Sequence, residues 1–246
     1  SASATHTWVV DTTDPAVAIS DSPSDPNNSD AADFTVTSSD GGSGLASTTC
    51  DLDGNAQADC GGVVSGLAEG SHTFTATATD AAGNSASDSY TWYLDLTAPT
   101  VSIDSAPADP SNDGNPTFAV SSDDDHAMGD TSCDVDGSAI DCAGGAVSEG
   151  THTFTVTATD AAGNSASASY TWYTDLTDPD VSVSSGPADP TNDDSASFTV
   201  TSSDDYSMSG TACDLDGASV GCADLTEGLA EGSHTFTATA TDAAGN

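Results

Sequence analysis

Thr73-Phe74-Thr75-Ala76-Thr77-Ala78-Thr79-Asp80-Ala81-Ala82-Gly83-Asn84 occurs three times in the chain with hardly a residue changed, the other copies spanning 153–164 and 235–246. Thr73, Thr75, Thr77 and Thr79 fall on one face and Phe74, Ala76 and Ala78 on the other, which is the period of a half-buried β-strand. The strand ends at Asp80. Ala-Ala-Gly-Asn reads as a turn, since Gly83 and Asn84 tolerate positive φ, and a second strand over 87–94 carries Tyr90 and Trp92 on one face. The unit is a β-hairpin, and its recurrence organises the rest.

Working outward, Asp11-Thr12-Thr13-Asp14-Pro15, Asp95-Leu96-Thr97-Ala98-Pro99 and Asp175-Leu176-Thr177-Asp178-Pro179 are three versions of one linker, 84 and then 80 residues apart. A period of that length is a small domain. After each linker comes a short alternating strand (Val17 and Ile19; Val101 and Ile103; Val181 and Val183), then a loop containing Asp-Pro. A second strand begins at Phe34, Phe118 or Phe198 and ends in an acidic loop at Asp40, at Asp123-Asp124-Asp125, or at Asp204-Asp205. Cys50-Asp51-Leu52-Asp53-Gly54 is a hairpin turn by its Asp-Gly, and the chain returns to Cys60; Cys133 with Cys142 and Cys213 with Cys222 repeat the arrangement. One even pair per repeat, flanking one tight turn, makes local disulfides the simplest pairing. Such bonds belong to an oxidising compartment. Zinc is a poor alternative, because the pairs lie some 80 residues apart and lack Cys-x-x-Cys spacing.

About seven short strands per repeat and no helix signal predict an all-β chain of three tandem immunoglobulin-like sandwiches in an elongated rod. The expected boundaries are 11–94, 95–174 and 175–246, with 1–10 a terminal strand completing the third domain of a neighbouring copy. Phe34, Val36, Leu45, Phe74, Ala76, Tyr90 and Trp92 are the expected core of the first domain.

The 246 residues include no Lys or Arg and 40 acids, for a formal net charge of -40. Such a chain repels nucleic acid and anionic membrane surfaces, and no apolar run is long enough for membrane insertion. Its natural partners are divalent cations. A halophilic source would favour the same acidity and is compatible with that reading. The chain begins without an initiator Met or a signal peptide, as a processed chain or an excerpt does.

The Asp-Leu-Thr-Ala-Pro linker, the Cys-Asp-Leu-Asp-Gly hairpin and the Gly-Ser-His-Thr-Phe-Thr-Ala-Thr-Ala-Thr-Asp-Ala-Ala-Gly-Asn ending resemble the tandem bacterial Ig-like repeats of giant surface adhesins and other extracellular repeat proteins. The resemblance spans the chain. It implies a non-enzymatic, extracellular, rod-forming role with calcium near domain junctions. The absence of Lys and Arg departs from the usual pattern, so the family's partner preferences are not carried over.

The residues point to a metal independently. In a sandwich the linker, the loop after the second strand and the turn after Asp80 share one end. This gathers Asp11, Asp14, Asp40, Asp80 and Asn84 in the first repeat. The second offers Asp95, Asp123, Asp124, Asp125, Asp160 and Asn164, and the third Asp175, Asp178, Asp204, Asp205 and Asp242. Carboxylates so crowded call for a cation between them, and oxygen-only ligands on loops suit Ca2+. Asp25, Asp51, Asp53 and Glu69 would approach from the opposite end of the preceding domain. Asp51 to Gly54 reads as a plain turn, the rest of an EF-hand being missing.

No Gly-x-Ser-x-Gly elbow and no substrate-binding cation accompany the carboxylates, so no enzyme is expected. His72, His152 and His234 recur at one position and read as capping or packing residues. The threonine ladder would make the chain an ice-binding or carbohydrate-binding module in the alternative reading, although threonine on an exposed strand is ordinary β-propensity. Finally, residues 1–10 repeat the sequence of the strand that follows each internal Ala-Ala-Gly-Asn, so that Trp8 matches Trp92 and Trp172 and Val10 matches Leu94. The expectation is a head-to-tail contact between copies, by strand exchange or as one period of a longer chain, with Trp8 and Val10 in the joint.

Overall fold

The computed structural model describes residues 1–246 and contains strands but no helix. The first repeat holds β1 (Ala16–Asp21), β2 (Ala31–Ala32), β3 (Thr35–Ser39), β4 (Leu45–Leu52), β5 (Asn55–Gln57), β6 (Val64–Ser65), β7 (Gly70–Asp80) and β8 (Ser85–Leu94). The second holds β9 (Thr100–Ser105), β10 (Ala119–Asp123), β11 (Met128–Val135), β12 (Ser138–Ile140), β13 (Gly150–Asp160) and β14 (Ser165–Thr174). The third holds β15 (Asp180–Ser185), β16 (Thr199–Ser203), β17 (Met208–Leu215), β18 (Ala218–Val220) and β19 (Phe236–Asp242). The chain divides into two compact units, one of residues 1–100, 122–131 and 158–166, the other of 101–121, 132–157 and 167–246.

In the first unit a four-stranded sheet in the order β5-β4-β7-β8 faces the smaller pairs β1-β3 and β2-β6. That is the layout of an immunoglobulin-like sandwich. β7 and β8 pair from Gly70 opposite Leu94 to Thr79 opposite Ser85. The second hairpin strand therefore starts two residues before the stretch marked by Tyr90 and Trp92. Phe74, Ala76 and Ala78 point inward as the alternation requires. Phe34 stacks on Phe74 at 4.0 Å, and Trp92 closes over Phe34. Val36 and Tyr90 pack against this core from partly buried positions. Leu45 does not belong to it. It is 39% exposed because the register slips between Leu45 and Ser47, and the inward alternation of β4 settles only at Cys50 and Leu52.

The second unit repeats the plan in the sheet β12-β11-β13-β14 with the pair β9-β10, around Phe118, Val135, Phe154, Val156 and Trp172. It also holds the pair β15-β16 and the sheet β18-β17-β19, whose Phe198 and Phe236 stack at 3.8 Å. No strand lies outside β19, and Phe236, Ala238 and Ala240 are only half-buried where Phe154, Val156 and Ala158 are fully buried. Val181 and Val183, which mark the short alternating strand of this repeat, are exposed. Residues 1–15 form no strand, and Trp8, Val9 and Val10 are exposed.

All six cysteines pair as expected, Cys50 with Cys60, Cys133 with Cys142 and Cys213 with Cys222. Between each pair lies a tight turn in which both Asp53 and Gly54 have positive φ, 53° and 77°, as a two-residue hairpin loop demands. The recurring histidines clasp these turns: Nδ1 of His72 lies 2.7 Å from Asp53 Oδ2, and Nε2 lies 2.7 Å from the Ala68 carbonyl. His152 meets Asp136 and Ser148, and His234 meets Asp216 and Ala230, in the same way.

Candidate metal centre

Each hairpin turn is built around an aspartate. Asp80 Oδ1 accepts the N–H groups of Ala82, Gly83 and Asn84, and its Oδ2 accepts the Asn84 amide at 2.7 Å. Asp160 with Asn164 repeats the arrangement, and Asp242 Oδ1 accepts the N–H groups of Gly245 and Asn246 while its Oδ2 receives no amide. The asparagine amide also donates to the linker carbonyl, from Asn84 to Asp11 at 3.2 Å, from Asn164 to Asp95 at 3.0 Å and from Asn246 to Asp175 at 2.9 Å. The linker aspartate is thereby fixed beside the turn. A third acid arrives from the loop after the second strand, where Asp124 Oδ2 accepts the N–H groups of His126 and Ala127, and Asp40 and Asp204 do likewise in their own loops.

Asp11, Asp40 and Asp80 offer oxygens within 4.8 Å of one another, as do Asp95, Asp124 and Asp160, and Asp175, Asp204 and Asp205. Asp242 stands beside Asp175 and raises its pKa. The second and third clusters share a feature that the first lacks. Asp95 Oδ2 and Asp124 Oδ1 in one, and Asp175 Oδ2, Asp204 Oδ1 and Asp242 Oδ2 in the other, are buried and have no hydrogen-bond partner. Asp95, Asp175 and Asp242 are at most 1% exposed. A buried carboxylate oxygen without a donor is costly, and a cation is a partner that would satisfy it. In the first cluster Asp11 Oδ2 instead accepts the Ser43 N–H at 2.6 Å.

The electrostatics follow the same division. Burial pushes the Asp95 carboxyl above the usual range, and the charges of Asp124, Asp160 and Asp125 push it further. Asp175 is raised by burial and by Asp204, Asp242 and Asp205. Asp11 is held low by the Thr13 N–H and by Ser43. Burial alone would raise Asp80 and Asp242, but their asparagine and turn N–H donors outweigh it and hold them low.

Glu69 reaches the second cluster, forming a group with Asp95 and Asp125 while accepting from the Thr97 hydroxyl at 2.8 Å. Glu149 holds Thr177 equivalently at 2.6 Å and raises Asp205. Flat stacks flank both clusters, Tyr93 on His126 at 3.7 Å and Tyr173 on Tyr206 at 3.9 Å.

Several candidates lie elsewhere. Asp14 and Asp178 are exposed and join no cluster, and Asp123 presents only its backbone carbonyl, to Thr100. Asn84 and Asn164 turn their amide nitrogens to the aspartates, so they position carboxylates. Asp25 accepts the Tyr93 N–H, Asp51 caps its own turn at Gly54, and Asp53 pairs with His72, and none of the three joins an acidic cluster. Sequence reasoning left out Glu149 and Asn246, although repeat equivalence with Glu69 and Asn84 was the available signal. With every cysteine in a disulfide, thiolate ligands for zinc are absent.

A family model described as "Putative Ig domain" matches residues 135–174. No curated protein matches the sequence. Among solved structures, the chain is similar to the fibronectin(III)-like modules of Clostridium thermocellum CbhA, at 14% identity over 65% of this chain and 94% of that one, TM-score 0.42. It is also similar to part of a 1.5-MDa bacterial ice-binding adhesin, at 17% identity over 96% and 95% of the two chains, TM-score 0.36. A tetra-tandem repeat from the extending region of a large adhesion protein gives 20% identity over 95% and 71%, TM-score 0.31. The sheet order and the family match define the class: the chain is built of immunoglobulin-like β-sandwiches.

Proposed function

We propose that this is a structural repeat segment of an extracellular, adhesin-type surface protein or filament, organised as three sandwich domains and fastened by calcium. The carrying observation is the set of buried, partnerless oxygens of Asp95, Asp124, Asp175, Asp204 and Asp242. Oxygen donors alone, on loops, with no Lys or Arg in the chain to neutralise them, are the donor set of a hard cation of the size of Ca2+. The disulfides suit the oxidising exterior, and no arrangement of nucleophile and base supports catalysis. Two clusters should bind well and the first weakly, because Ser43 already occupies the inward oxygen of Asp11.

The same reading includes self-association. β8 and β14 lie outside β7 and β13, whereas the outer edge of β19 is open. A strand with the sequence of 1–10 fits that edge, delivered by a second copy or by the same sequence further along a longer chain. Repeated head to tail, such a contact propagates without closing.

Calcium titration followed by calorimetry tests the metal reading. Two strong sites per chain and a melting temperature that falls on chelation at constant ionic strength are expected; unfolding that is identical with and without chelator overturns it.

A further inference from the structure

Two overlapping triads meet at Asp95. One joins it to Asp124 and Asp160, the other to Glu69 and Asp125, and in each the offered oxygens lie within 4.8 Å of one another. All five acids belong to the first compact unit. Asp95 and Asp160 are buried, whereas Glu69 and Asp125 are exposed. Asp95 is only 1% exposed; its Oδ1 accepts the Thr97 N–H at 3.1 Å, and its Oδ2 has no donor.

Thr97 fixes the overlap. Its N–H goes to Asp95 while its hydroxyl donates to Glu69 Oε2 at 2.8 Å, so one residue holds the two carboxylates side by side. Thr177 does the same in the second compact unit, for Asp175 at 3.3 Å and Glu149 at 2.6 Å. The remaining exposed acid is placed by stacking. Tyr93 on His126 pins the loop that carries Asp125, and Tyr173 on Tyr206 pins the loop that carries Asp205. There Asp175, Asp204 and Asp205 form the triad, the unpartnered Asp242 Oδ2 lies buried beside Asp175, and burial together with Glu149 and Asp204 raises the Asp205 carboxyl. Each cluster thus gathers five carboxylates in a chain without Lys or Arg. One divalent cation balances only two of those charges and leaves the exposed acids repelling one another.

We infer that each of these clusters takes a pair of calcium ions sharing the linker aspartate: an inner ion among Asp95, Asp124 and Asp160, and an outer ion among Asp95, Glu69 and Asp125. Asp175, Asp204 and Asp242, then Asp175, Glu149 and Asp205, hold the corresponding pair in the other cluster. The inference rests on the calcium reading above. The inner ion draws every carboxylate from a single repeat and is buried, so it binds tightly. The outer ion takes its glutamate from the preceding repeat and lies open to solvent, so it is the weaker of the two and the one that ties consecutive repeats. The tie therefore loosens at calcium levels that still keep the inner ion in place.

Equilibrium dialysis of the full chain against calcium tests this, with Glu69→Gln plus Glu149→Gln as the comparison. Glutamine keeps an oxygen for the Thr97 and Thr177 hydroxyls, both positions are exposed, and circular dichroism checks the fold. The two tight sites are expected unchanged in the variant, while the next two ions bind at least about tenfold more weakly than in the parent, since a ligand charge is lost from each. The first cluster contributes equally to both proteins. Asp125→Asn with Asp205→Asn should weaken the same two ions, and unchanged binding there overturns the assignment of the outer position. Identical binding curves for parent and glutamine variant, with two tight sites in each, overturn the pairing and leave the calcium reading standing. Loss of the tight sites in the glutamine variant also overturns the pairing, because a single ion then spans all five carboxylates. No calcium on either protein overturns both readings together.

Discussion

Asp95 and His72 illustrate how burial acts on opposite charges in one fold. Burial and three neighbouring carboxylates raise Asp95, so the native state holds its proton to higher pH than the unfolded chain does. Without calcium, the Asp95 contribution is fully present in acid and is lost as pH rises through that raised value. Asp95→Asn should therefore raise the melting temperature in chelator and lower it in calcium. Thermal melts of the variant in both media check this, and a shift of the same sign in each would contradict the metal reading. His72 also gains stability from a raised pKa, since its hydrogen bonds to Asp53 and the Ala68 carbonyl outweigh the cost of burial. The contribution is fully present below about pH 6.5 and is lost as pH rises through the native value. Urea unfolding across that range should show the decline in the parent chain and a flatter profile in His72→Gln with His152→Gln. The aspartate clusters were legible in the sequence, because short carboxylates recurred at equivalent turns. The clasp was not. Asp53 reads as an ordinary turn residue until the pairing of Leu52 with Phe74 is known, and only that pairing brings a histidine 19 residues later onto its carboxylate.

At the scale of elements, strict alternation in β7 predicted both its faces and its end at Asp80, because a strand buried on one side leaves no freedom of register. Leu45 failed the same reasoning because a slip in β4 lies between it and the inward residues, and nothing in Leu45-Ala46-Ser47 announces one. The disulfides are the clearest case of a prediction from spacing, since the Asp-Gly turn brings each pair to Cα separations of 5.1–5.3 Å. Each closes a loop of about ten residues, for which chain entropy gives roughly 2.5–3 kcal/mol. Cys133→Ser with Cys142→Ser should lose about that much in denaturant unfolding. A loss well under 1 kcal/mol would mean that the thin, alanine-rich core holds the hairpin without the crosslink.

On the scale of the whole molecule, threefold repetition was plain in the sequence, while the compact units were not, since their division passes through the second repeat. The exposed Val181 and Val183 were also hidden, because alternation marks a face as apolar without saying what will cover it. The three aspartate clusters are not copies either: in the first, Asp11 is only partly buried and accepts a hydrogen bond from Ser43. Asp95, Asp124 and Asp160 lie far apart along the chain, so their cluster does not exist until the last of them is in place. A polypeptide delivered N-terminus first meets this condition one repeat at a time, each site appearing only as its closing hairpin emerges. Under the calcium reading proposed above, an ion bound there would lock the emerged repeat while the chain behind it stays slack until its own turn arrives.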